Sequence, residues 1–223
     1  MPNHITNQIE IKGDLDRVKS ILQKIKNDEA GMGTIDFEKI IPMPDNIFKG
    51  NLGPREQELY GKNNWYDWSV ANWGTKWNAY GFESDTDHSK EKEIRFLTAW
   101  SAPHPILEKL AKLFPDVKLE HEWADEDIGM NCGRCVYYDG ERIEEYYPES
   151  QKDRLEFAAR VMDIQLEEAC GLYLNASETE YINIEYDDEY ELIELFGQPA
   201  LFTNDKNYVL RLTRSTAILS RNA

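Results

Sequence analysis

Hydrophobic and polar residues alternate over "HITNQIEIKG", where Ile5, Ile9 and Ile11 share one parity and Gly13 ends the run, which predicts a half-buried strand. The period then changes. In "DLDRVKSILQKIKND" the residues Leu15, Val18, Ile21, Leu22 and Ile25 recur every three or four positions behind Asp14 as N-cap, so an amphipathic helix follows. "TIDFEKIIPMP" predicts a second strand stopped by Pro42 and Pro44, and residues 45–62 read as irregular. "NNWYDWSVANWG" predicts a short helix with Gly74 as its left-handed cap. "KWNAYGFES" and "EIRFLTAW" are then expected to pair as a hairpin across the polar turn "DTDHSKEK". A second amphipathic helix, "SAPHPILEKLAKLFPD", is followed by the strand "VKLEHEWAD" and by "GRCVYYDGERIEEYY", whose Asp139-Gly140 marks a tight hairpin.

In order, this is βαβ, an inserted aromatic helix-strand segment, a second βαβ and a terminal hairpin. Two such halves with their helices on one face of an antiparallel sheet make a ferredoxin-like α+β domain over residues 1–147. Residues 148–223 read as a small α+β C-terminal extension or domain. It opens with one long helix, "SQKDRLEFAARVMDIQLEEACG", whose Leu155, Ala158, Val161, Met162, Leu166 and Ala169 form a face. A strand or two in "LYLNASETEYINIEY", a short acidic helix "DDEYELIELFG" and a hairpin in "ALFTNDKNYVLRLTRSTAIL" complete it.

Composition adds a constraint on partners. The net charge is −17, and both parts share it: residues 1–147 carry 18 basic and 27 acidic groups, residues 148–223 carry 7 and 15. Nucleic-acid and anionic-membrane footprints need clustered Lys and Arg, so both partners are disfavoured, including a single strand stacked on the sheet aromatics. No apolar run approaches the roughly 20 residues that span a bilayer, and "MPNHITNQIE" lacks the order of a signal peptide, so a cytoplasmic location is expected. Three cysteines fit a reducing compartment.

Candidate chemistry is sparse. Cys132-Gly-Arg-Cys135 has zinc-knuckle or redox spacing but lacks a second ligand pair and enters a strand, so these read as ordinary strand cysteines. His4 and His104 could serve as general bases, yet no nucleophile stands at a matching spacing, and they read as surface or capping groups. The acidic runs "EWADEDIG" and "EYDDEYELIE" read as solvated surface, with imitation of a nucleic acid by carboxylates as a second reading. No cofactor or metal is expected.

The segment "ANWGTKWNAYGF" stands apart because Asn72, Lys76 and Asn78 are interleaved with Trp73 and Trp77. Strand alternation predicts Trp77 and Ala79 inward with Lys76, Asn78 and Tyr80 on the opposite side, so one side is core and the other a candidate binding surface that also includes Trp100.

The motifs "MPNHITN", "FEKIIPMP", "NWGTKWNAYG", "FLTAWSAP" and "GRCVYYDGE" occur in the order found in the YubB-type ferredoxin-like domain family of plasmid and phage proteins, which this chain resembles over about residues 1–147. "ELFGQPALFTN" is similar to the opening of a domain of large polyvalent proteins of mobile elements. The resemblance implies an accessory protein of a mobile genetic element and carries no catalytic residue. The expected function is therefore non-enzymatic binding of a host or element-encoded protein. The alternative is a small-molecule or nucleotide-processing enzyme with a pocket lined by Trp73, Lys76, Trp77 and Trp100.

Overall fold

A computed structural model describes residues 2–82, 93–175 and 178–183, together with the backbone of residues 190–195, 198–203, 208–213 and 216–221. The chain divides into two compact units, Met1–Tyr147 and Pro148–Ala223.

The first unit is built on a five-stranded antiparallel sheet. Its strands are β1 (His4–Lys12), β2 (Ile94–Ala99), β3 (Lys118–Asp125), β4 (Cys132–Tyr138) and β5 (Glu141–Tyr146), in the spatial order β2-β1-β3-β4-β5. Both β2 and β3 run antiparallel to β1, which lies between them. Helix α4 (His104–Leu113) connects them, so β2-α4-β3 is a split βαβ unit. Asp139 and Gly140, both at positive φ, turn the chain from β4 to β5 as the aspartate-glycine pair predicts.

Register decides which side chains meet. Ile5, Asn7, Ile9 and Ile11 of β1 lie level with Ile94, Phe96 and Thr98 of β2 and with Leu119, His121 and Trp123 of β3, all on one face. That face packs with Ile21 and Ile25 of α1 (Leu15–Ile25) and with Ile106, Leu107, Leu110 and Ala111 of α4 in one buried cluster. Each such buried Ile or Leu is worth about 1.5–3 kcal/mol over exposure. The opposite face carries Glu10, Glu120, Glu122 and Arg134, the polar side of the alternation.

Three expectations in this unit are corrected. The second strand does not form: Phe37–Lys39 is a single 3-10 turn, because Asp36 Oδ1 accepts from Glu38 N–H at 3.0 Å and caps it. Ile35 and Phe37 are still fully buried, so the alternation recorded burial without pairing. Residues 45–62 contain a helix, α2 (Pro54–Tyr60), begun by Pro54 in its first turn with Glu56 reaching back to Gly53 N–H. "KWNAYGF" is no strand: it meets the outer edge of β2 through an isolated Tyr80–Leu97 bridge and a hydrogen bond from Lys76 N–H to Ala99 O, and the turn at residues 85–92, with His88, lies outside the described residues.

Helix α3 (Trp65–Trp73) forms as expected. Asn64 Oδ1 accepts from Asp67 N–H at 3.0 Å at its start, and Gly74 closes it at φ 77°.

In the second unit the single long helix is divided. Helix α5 (Gln151–Met162) is capped by the Ser150 side chain, and Asp163 at φ 57° ends it before α6 (Leu166–Cys170) and Gly171. β6 (Leu172–Leu174) pairs with β7 (Tyr181–Asn183). The acidic helix expected near 187–197 is instead strand β8 (Tyr190–Leu195), the edge of a four-stranded meander with β9 (Gln198–Thr203), β10 (Tyr208–Thr213) and β11 (Thr216–Arg221). The apolar positions 190, 192, 193 and 195 fall on both parities and suit a helical spacing, and the ladder to β9 nevertheless selects the extended conformation.

Candidate interaction surface

The tryptophans of residues 71–82 part ways. Trp73 is 4% exposed, donates its ring N–H to Ile41 O at 2.8 Å and meets Phe37 and Trp68 edge to face, so it belongs to the core. Trp77 is 37% exposed, and the expectation that it points inward is corrected. Without a continuous strand, period-two alternation no longer governs where its side chain lies.

Both asparagines are engaged in hydrogen bonds. Asn72 donates to Trp68 O at 2.8 Å within α3. Asn78 accepts from Phe37 N–H at 2.8 Å and donates to Asp36 Oδ1 at 2.7 Å, which ties this segment to the 3-10 turn. One amide holds its own helix and the other joins two distant segments.

Lys76, Trp77 and Trp100 do come together. The Lys76 ammonium lies 4.6 Å from the Trp77 ring centroid and 4.8 Å from that of Trp100, between two exposed indoles. Trp100 is 43% exposed and has φ 76°, the left-handed region that a bulky residue seldom enters. Its backbone N–H donates to Asn3 O at 2.9 Å, which anchors the turn after β2 beside the start of β1. Tyr66 packs edge-on against Trp100, and Tyr80 against Trp77.

Three acidic residues lie beside Asn3, the residue that anchors Trp100. Asn3 Nδ2 donates to Asp125 Oδ1 at 3.2 Å and to Asp127 Oδ2 at 2.8 Å, while Glu126 N–H donates to His4 O. His4 Nδ1 and the Tyr80 hydroxyl are 2.6 Å apart. Burial, and then the nearby Glu126 carboxylate, raise the Tyr80 phenol above its usual value. Sequence reasoning found Lys76, Trp77 and Trp100, put Tyr80 on the side of Lys76 and considered His4 only as a candidate base; it missed Tyr66, which no local spacing connects to them.

A second cluster lies on the buried face of the sheet. His121 Nε2 lies 3.0 Å from Asn7 Oδ1, and the Asn7 amide donates to Ile5 O and Thr98 Oγ1, so Nε2 carries the proton and donates. Its Nδ1 is left buried with no hydrogen-bond partner. His104 Nδ1 and the Tyr137 hydroxyl share a hydrogen bond at 2.6 Å, and the imidazole packs edge to face on Trp123. Burial, helped by the charge of Arg142, pushes His104 down to about 4 and His121 well below its ordinary value; burial likewise raises Tyr137 and Cys135. Neutral imidazoles and a protonated phenol and thiol make a packed polar core. The surface or capping role expected for His104 is thereby corrected. His121 was legible, since it shares the parity of Leu119 and Trp123.

Cys132 and Cys135 stand three apart on β4 and so point to opposite faces, which separates the CxxC pair. Among the described residues no group of three or more His, Cys, Asp or Glu is placed to hold a metal ion, and no helix is long and apolar enough to cross a membrane. In the second unit a cleft of about 570 Å³ is lined in part by Lys152, Arg160, Glu156, Asp163, Glu167 and Tyr181, a mixture of charges that selects neither cation nor anion.

Comparison with known proteins touches the same part of the chain. Residues 73–165 match the family model described as a ferredoxin-like domain in Api92-like protein. The match begins at Trp73, takes in β2, α4, β3, β4, β5 and α5, and covers less than half of the chain. The five-stranded antiparallel sheet with its helices is thus a ferredoxin-like α+β fold. No curated protein and no solved structure shows a significant match.

Proposed function

We propose that this is a non-enzymatic accessory protein of a mobile genetic element, which binds a host or element-encoded protein through the face formed by Tyr66, Lys76, Trp77 and Trp100. The observation that carries the reading is Trp100: a large side chain held half exposed at φ 76°, just after edge strand β2. Such a conformation costs about 1 kcal/mol or more at a non-glycine residue, and strain of this kind concentrates where a surface has work to do. Clustered exposed aromatics are also the side chains that dominate binding energy at protein interfaces. The mobile-element context rests on the ordered motifs shared with YubB-type proteins, and the net charge of −17 supports a protein partner over a nucleic acid.

The test is affinity capture from host lysate with the wild-type chain and with the Trp77→Ala/Trp100→Ala double variant. A defined partner retained by the wild type and reduced at least about tenfold by the double variant is expected, since each lost aromatic hot spot costs about 1–2 kcal/mol or more. Equal capture by both proteins would sink the proposal.

A further inference from the structure

The aromatic face already contains a cation. Lys76 is tethered one residue before Trp77, and its ammonium lies within 5 Å of both indole centroids, inside the distance at which a ring face attracts positive charge. The surroundings repeat the preference. Asp125 and Asp127 meet at Asn3, whose carbonyl holds the Trp100 backbone N–H, and Glu126 acts on the Tyr80 hydroxyl beside Trp77. An anionic occupant would meet these carboxylates in a chain of net charge −17, whereas a cationic one finds rings and counter-charges together.

Resting on the reading that this face binds a protein, we infer that its occupant is a basic, arginine-bearing segment of the partner, and that Lys76 is a tethered stand-in for the arriving guanidinium. A guanidinium is planar and more weakly hydrated than an ammonium, so it stacks on an indole with less loss of hydration. The incoming arginine displaces Lys76 from between Trp77 and Trp100, and its neighbours pair with Asp127 and Glu126. Lys76 therefore competes with the ligand. This reverses the ordinary expectation for a lysine on a binding surface.

The experiment uses the full chain and three fluorescein-labelled peptides of alternating glycine with arginine, lysine or glutamate, titrated by anisotropy at near-physiological salt. The arginine peptide is expected to bind, the lysine peptide to bind several-fold more weakly and the glutamate peptide to give no binding. Trp77→Ala/Trp100→Ala should weaken the arginine peptide at least about tenfold, which separates ring stacking from general attraction to an acidic protein. Lys76→Met should tighten it about threefold, the scale of one exposed cation–π contact released from competition. Weaker or unchanged binding by Lys76→Met, indifference to the two tryptophans, or preference for the glutamate peptide or for single-stranded DNA would each overturn the inference. If the arginine peptide fails while lysate capture still depends on Trp77 and Trp100, the basic-segment inference falls and the binding reading stands. If neither depends on them, both fall.

Discussion

Trp100 sets stability against function at a single residue. Its backbone lies in the left-handed region, where glycine carries no Cβ penalty and every other residue does. Trp100→Gly should therefore be more stable than Trp100→Ala by about 1 kcal/mol in urea unfolding, although both remove the same ring. Equal midpoints would show that the backbone there relaxes freely. The buried histidines give a second prediction. His104 and His121 are held neutral in the fold, His104 down to about 4, while unfolded histidine protonates near 6.5. Their contribution is thus fully present above about 6.5 and falls as pH drops towards about 4, because the unfolded chain then binds more protons. His104 alone can account for about 3 kcal/mol at most, reduced by its partial exposure. Its ring is faced by Tyr137, Trp123 and His121, with Arg142 and Glu145 near. Urea midpoints at pH 7.5 and 4.5 should differ less in His104→Gln than in the wild type, and an unchanged difference would contradict this account.

Among the elements, those with strong local signals appeared where the sequence placed them. Asp14 caps α1, Gly74 closes α3, and Asp139-Gly140 turns β4 into β5, because each uses chemistry confined to a few neighbouring residues. "TIDFEKIIPMP" failed as a strand because an alternating run needs a neighbour to pair with, and Asp36 with Asn78 supplied a different set of partners from across the chain. Gly74 shows local and tertiary demands meeting. It sits at φ 77°, and a Cβ there would lie 2.7 Å from Pro105 Cδ at the start of α4. Gly74→Ala should consequently cost more than the roughly 1 kcal/mol of its backbone conformation alone, read as a lowered melting temperature. A loss smaller than that would mean that α3 and α4 separate easily.

For the whole molecule, the sheet of the first unit closes on its own core cluster, and residues 1–147 are predicted to fold as a separate fragment. A single cooperative thermal transition with native-like near-ultraviolet circular dichroism is expected, and a fragment without that signal would show that the second unit is required. From sequence alone, the periods fixed α1, α4 and most of the first sheet, the parity of Ile5, Ile9, Leu119 and Trp123 marked its buried face, and the residue totals set the net charge at −17. These properties repeat along the chain or sum over it, so they need no knowledge of distant contacts. Only the tertiary structure decided that Trp73 is core while Trp77 is surface, that Asn7 holds His121, and that Trp100 arrives beside Lys76. Residues 24 or more than 100 positions apart meet there because the sheet register and the turn after β2 bring them together, and no spacing along the chain encodes that approach.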